Sequence, residues 1–171
     1  MSKPRRQLSL FLKKDHETIE RIRAAFNPAQ YKLIPAHVTL CREDELDSLE
    51  QVKANLTLLH LASPFCLQFS KVVRFPDGKG AMLAAQGANQ DFHNLRKRVL
   101  QGVIHQPRVH HPHITLLHPR NSTCDVALFE RLSEYKLPKK LYFDTLSLIE
   151  QGADEKWKIL NAYILTNKIE N

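Results

Sequence analysis

The sequence predicts an α+β fold of two similar lobes, pseudo-two-fold related, each an antiparallel or mixed sheet with helices outside, flanking a central cleft. Three observations predict it. The tetrapeptide His37-Val38-Thr39-Leu40 returns 76 positions later as His113-Ile114-Thr115-Leu116. Apolar spacing alternates along the chain between the two-residue period of strands and the 3.6-residue period of helices. The order helix, His-x-Thr strand, helix, strand, strand then occurs twice at an offset of about 75 to 79 residues, as in a duplication. With 171 residues and 43% apolar composition the chain suits one well-packed domain over 1–171. Its lobes divide near 1–86 and 87–171, a division that admits exchange of strands between them.

Taken in order, Leu8, Leu10 and Leu12 alternate on one face of a strand over 6–13. A helix follows, with Asp15 as N-cap, Ile19, Ile22 and Phe26 at helical spacing, and Asn27-Pro28 as its stop. The first His-x-Thr strand occupies 36–41. Leu46, Leu49, Val52, Leu56 and Leu59 form the apolar stripe of a helix over 44–60, with acidic residues in its first turn where the helix dipole favours them. Pro64 opens a strand through Arg74, and Pro76-Asp77-Gly78-Lys79-Gly80 turns the chain into another over 81–86. A helix over 90–101, the second His-x-Thr strand over 112–117 and a helix beginning after Ser122 or Thr123 repeat the order. Strands over 141–150 and 156–166 close the chain around Gln151-Gly152-Ala153-Asp154.

On a strand, alternate side chains share a face, so each tetrapeptide sends its histidine and threonine one way and its two aliphatics into a core. With nine histidines and seven threonines in the chain, His-x-Thr followed by an apolar residue arises by chance in roughly 0.15 copies, counted as template matches. A single copy reads best as a core strand whose histidine caps it and hydrogen-bonds a neighbour and whose threonine is simply a good strand former. Two copies at corresponding positions argue for chemistry. Paired imidazoles, with ordinary pKa values near 6.5, suit proton transfer at neutral pH, and paired hydroxyls suit phosphate oxygens.

On these motifs, their spacing and their bilobal order, the chain resembles the two-histidine (2H) phosphoesterases, the superfamily of 2′-5′ RNA ligases and 2′,3′-cyclic nucleotide phosphodiesterases. The resemblance runs from the first strand through Thr166. It implies hydrolysis of a 2′,3′-cyclic phosphodiester, on a nucleotide or an RNA end, to a monoester carrying a 2′-phosphate, without metal or cofactor. It further implies His113 as general base, His37 as general acid, and Thr39 and Thr115 as donors to non-bridging oxygens. Arg120, close behind the second motif, is the favoured additional phosphate contact. Arg42 follows the first motif but shares strand parity with Leu40 and is expected to point away. Phe11, on the face of the first strand opposite its leucines, is a candidate to stack on a base, with core packing as the alternative use of a single Phe. Alternatives are 2′-5′ RNA ligation, 2′-5′ phosphodiester cleavage, and a module that binds RNA or nucleotides without turnover. A histidine-triad nucleotide hydrolase is disfavoured, because its alternating run needs histidine where Thr115 stands.

The remaining composition narrows the setting. Lys and Arg outnumber Asp and Glu by 25 to 18 for a net charge of +7, which favours polyanionic partners such as RNA. Cys41, Cys66 and Cys124 are odd in number and widely spaced, suggesting neither a disulfide framework nor a zinc ribbon. No apolar run approaches bilayer length, so a cytoplasmic protein with no membrane partner is expected, and a monomer is favoured. The cluster His105, His110, His111, His113 and His118 offers a rival metal reading through His111-Pro112-His113. It lacks a nearby carboxylate and leaves the first motif unexplained.

Overall fold

The computed structural model describes residues 3–153 and 155–166; Asp154 of the last predicted turn lies outside them. The strands are β1 (Arg5–Phe11), β2 (His37–Cys41), β3 (Phe65–Arg74), β4 (Ala81–Ala85), β5 (His113–Leu117), β6 (Lys140–Phe143), β7 (Thr145–Gln151) and β8 (Lys158–Ile164). The helices are α1 (Glu17–Phe26), α2 (Pro28–Leu33), α3 (Leu49–Thr57), α4 (Gln90–Val99) and α5 (Val126–Ser133). The strands form one eight-stranded sheet in the order β6-β3-β4-β5-β2-β1-β7-β8. This corrects the expectation of two sheets. The motif strands β2 and β5 are hydrogen-bonded neighbours at its centre, so the halves are joined through them rather than facing each other across a gap.

Every ladder between these strands is antiparallel. The sheet must also curl. β6 and β7 stand first and seventh in the order, yet Asp144 alone separates them. Six strand spacings span about 29 Å on a flat sheet, whereas two residues of extended chain reach only about 7 Å. Asp144 fixes the crossing point: its carboxylate accepts from Lys13 Nζ and from Thr145 Oγ1, and its carbonyl from the Leu165 N–H at 2.7 Å. The strand predicted over 141–150 is therefore two strands.

The alternation in the motifs does what their pattern demands. Val38, Leu40, Ile114 and Leu116 are fully buried with Leu8 and Leu10 of β1, while His37, Thr39, His113 and Thr115 remain half-buried on the other face. Each such apolar side chain contributes roughly 1.5–3 kcal/mol on burial, so register is strongly fixed: a slip of one residue would put the histidines in the core.

The stripe predicted over 44–60 is buried at Leu46, Val52, Leu56 and Leu59, but the helix is broken. A 3-10 turn spans Glu43–Glu45 and α3 starts only after Ser48, because Glu45 turns inward to a long-range partner. Asn27-Pro28 ends α1 as predicted, and Pro28 then opens the short α2, where its missing N–H costs nothing. The N-cap of α1 is His16 rather than Asp15, which lies one residue earlier in a left-handed conformation at φ 54°. Among the described residues no helix is long and apolar enough to cross a membrane, and all three cysteines are free.

Candidate active site

β2 and β5 pair through Val38 and Ile114. In an antiparallel ladder that register sets His37 opposite Thr115 and Thr39 opposite His113. The four side chains thus occupy the corners of a quadrilateral on one sheet face, histidines on one diagonal and threonines on the other. Such diagonal neighbours stand about 7–8 Å apart at Cα, within reach of a shared phosphate. All four line a single cleft of about 860 Å³.

Both imidazoles are held in the same way. His37 Nδ1 lies 2.8 Å from the Pro35 carbonyl and His113 Nδ1 lies 2.9 Å from the His111 carbonyl. A carbonyl only accepts, so each Nδ1 carries its proton and each Nε2 is the nitrogen left for a ligand. The different placement of proline before the two histidines, Pro35 two residues back and Pro112 directly adjacent, leaves this anchor unchanged. Aromatic rings back both imidazoles: Phe11 at 5.7 Å from His37 and Phe75 edge-on at 5.5 Å from His113. Burial pushes the His37 imidazole down to about 4, with the Arg23, His113 and His118 charges adding to the effect against the Pro35 bond. Burial, Arg42 and His111 likewise lower His113, against the His111 carbonyl bond.

Beyond Val38 and Ile114 the two motif strands part, and the carbonyls they leave behind find side chains. His110 Nε2 meets the Thr39 carbonyl at 3.1 Å while its ring stacks on Phe92 at 6.0 Å. Arg96, buried in α4, donates to the Leu40 carbonyl and to the Arg108 carbonyl at 3.2 Å, and grips Glu45 through bonds of 2.6 and 3.2 Å. Glu45 also accepts the Arg42 N–H at 2.9 Å. This brace ties the end of β2 to the segment entering β5. Arg23 braces the other end, donating to the Ile34 carbonyl at 2.7 Å and to Glu20 at 2.8 Å, while Glu20 accepts the Ala36 N–H just before His37. Asn27 accepts the His118 N–H at 2.8 Å, fixing the exit of β5.

Lys3, Arg5, Arg23, Arg42 and Arg120 line the cleft against Glu43 and Asp77, and Arg5 is paired with Glu43 at 2.6 Å. The field favours an anion. Arg120 lines the cleft. Arg42 also lines the cleft, contrary to the parity argument, because β2 ends at Cys41 and the chain turns into Glu43–Glu45. Phe11 is not among the lining residues; it packs cross-strand on His37. The aromatic walls are instead Phe75 and Trp157, the latter under the Arg5 guanidinium at 5.4 Å. His110 and His118 line the cleft too, with pKa values lowered chiefly by burial, His110 to about 4. Among the described residues no three His, Cys, Asp or Glu side chains gather as a metal site.

The model of the 2′-5′ RNA ligase superfamily matches residues 11–155. No curated protein matches the chain. Among solved structures, E. coli LigT complexed with ATP is similar at TM-score 0.67 and 16% identity, covering 97% of this chain and 100% of that one. LigT has also been solved with 3′-AMP and with phosphate. A structure described as a phosphoesterase is similar at TM-score 0.59 and 20% identity, covering 97% and 100%. TT0787 of Thermus thermophilus is similar at 0.54 and 18%, covering 94% and 97%. With the family model spanning most of its length, the chain belongs to the 2′-5′ RNA ligase superfamily of two-histidine phosphoesterases.

Proposed function

We propose that the protein hydrolyses a 2′,3′-cyclic phosphodiester, on a nucleotide or RNA end, to a 2′-phosphate by acid–base catalysis at His37 and His113. One observation carries this reading: two imidazoles with Nδ1 fixed to a backbone carbonyl and Nε2 free line one cationic cleft together with both threonines. Water attacks phosphorus as His113 Nε2 takes its proton; the bond from phosphorus to O3′ breaks, and His37 Nε2–H supplies the proton to O3′. Thr39 and Thr115 donate to the non-bridging oxygens, whose charge grows in the transition state, and Arg42 and Arg120 add positive charge. Each imidazole then accounts for about 10²–10⁴ in rate.

The nucleotides in the LigT crystals support a nucleotide-bearing substrate. In 2′-5′ joining of RNA a 5′-hydroxyl takes the place of water: His113 Nε2 takes its proton as O5′ bonds to phosphorus, the bond from phosphorus to O3′ breaks, and His37 supplies the proton to O3′, so both imidazoles keep their roles; in water, hydrolysis is the downhill outcome. Burial depresses His37 strongly, to about 4, and the negative charge of a phosphodiester beside it favours the protonated imidazole that serves as acid.

The test is incubation with 2′,3′-cyclic AMP in EDTA, with the product identified by phosphorus NMR. Turnover to 2′-AMP is expected; binding without product would leave only a nucleotide-binding module, and loss of turnover on chelation would contradict metal independence. A substrate whose leaving group needs no proton, such as a nitrophenyl phosphodiester, assigns the roles. It should restore most of the rate to His37→Ala and none to His113→Ala, and the opposite pattern would exchange acid and base.

A further inference from the structure

We infer that a groove between β3 and α5 is a second phosphate-binding site that holds the strand of an RNA whose cyclic end lies in the cleft. This rests on the hydrolytic reading above and specifies its substrate as RNA rather than a free nucleotide. The groove has a volume of about 760 Å³ and an apolar floor that includes Val72, Leu83 and Leu137. Lys71, Arg74, Lys136 and Lys139 line it, and no Asp or Glu does. Among the described residues none of these four cations takes part in an ion pair, unlike Arg5 and Arg108 near the cleft. Arg74 Nε is buried without a partner, and its guanidinium lies 5.0 Å over the Phe129 ring. Exposed Tyr135 adds a second aromatic surface.

Unpaired cations around an apolar floor with aromatic rings match a single strand, whose phosphates need charge and whose bases need flat apolar faces. An acidic peptide shares only the first requirement. The groove and the cleft lie on opposite faces of the sheet, since Val72 pairs with Leu83 and Leu83 with Ile114 on the face away from the histidines, and they meet at the end of β3: Arg74 ends that strand in the groove, while the next residue, Phe75, lines the cleft against His113. A strand leaving the cleft past Phe75 therefore rounds the end of β3 at Arg74 before it reaches the lysines.

The experiment compares wild type with the exposed triple variant Lys71→Ala, Lys136→Ala, Lys139→Ala on 2′,3′-cyclic AMP and on a ten-nucleotide RNA ending in a 2′,3′-cyclic phosphate. The variant should raise KM for the RNA at least tenfold and leave kcat/KM for the mononucleotide within twofold. The slope of log affinity against log salt for the RNA should fall by about 2, at roughly 0.7 per lost phosphate contact. An equal loss on both substrates, or unchanged RNA kinetics, overturns the inference. So does competition by polyglutamate as effective as by RNA of equal charge, which would make the occupant an acidic protein. Fluorescence anisotropy with RNA ending in a 3′-phosphate needs no turnover. If wild type hydrolyses neither substrate, the hydrolytic reading fails, and the tenfold difference in RNA affinity still decides for or against the groove.

Discussion

Replacing Arg96 by Met should separate what the buried brace does for stability from what it does for the site. Arg96 is 1% exposed and Glu45 4%, and the change removes both bonds to Glu45 and those to the Leu40 and Arg108 carbonyls. Glu45 keeps only the Arg42 N–H at 2.9 Å and the Arg108 side chain at 3.5 Å. Breaking a buried pair on one side costs about 3–5 kcal/mol, a large share of the roughly 5–15 kcal/mol that holds a domain folded. For a chain of this size that lowers Tm by about 6–20 °C. In wild type, burial pushes the Glu45 carboxyl up, and the bonds and charges of Arg96, the Arg42 N–H and Arg108 more than offset it, leaving the pKa lowered. That contribution is present above the unfolded value and is lost as pH falls through the folded one. Without Arg96 burial dominates, the pKa rises, and the variant's deficit should shrink on acidification. Urea unfolding at pH 7.5 and 4.5 measures both effects, and adding Glu45→Leu should recover much of the loss. A deficit below about 1 kcal/mol, or one independent of pH, would refute the reasoning.

Other perturbations reach the cleft more directly. Because burial leads the depression of both His37 and His113, and the proposed reaction needs one protonated and one neutral, kcat/KM should peak below pH 6.5, between the two macroscopic values of the pair; a maximum above pH 7 would contradict this. His37, His110, His113 and His118 all bind protons less readily folded than unfolded. Between about pH 6.5 and pH 4 the unfolded chain therefore holds more protons and stability should fall as pH falls; an unchanged urea midpoint between pH 7.5 and 5 would count against it. His110→Phe keeps the stack on Phe92 but strands the Thr39 carbonyl, so kcat should fall about tenfold or more through displaced Thr39, whereas His110→Gln, which retains a donor, should recover most of it. Equal kinetics for the two variants would remove His110 from the positioning of the site.

The motif strands were legible because their alternation is local: Val38, Leu40, Ile114 and Leu116 announce a core face and leave the histidines and threonines on the other. What the sequence concealed depends on partners far along the chain. The stripe over 44–60 correctly marks buried residues, but Glu45 breaks its helix to reach Arg96, 51 positions away. The strand predicted over 141–150 splits at Asp144 because each half has a different neighbour, β3 for β6 and β1 for β7. Arg42 escapes its parity because its strand ends one residue before it. Phe11 was placed on the correct face, yet its register opposite His37 makes it a backing for the imidazole rather than a wall of the cleft. Trp157, the only tryptophan in the chain, and Phe75, between Arg74 and Pro76, lie at strand boundaries where periodicity assigns no face.

The central claim is that the two motif histidines exchange protons with one phosphodiester. Single-turnover hydrolysis of 2′,3′-cyclic AMP in EDTA by wild type, His37→Ala and His113→Ala, with 2′-AMP affinity measured alongside, tests it most directly. Each variant should lose at least about a hundredfold in rate while binding 2′-AMP within a few-fold of wild type. Full activity in either variant would contradict the account.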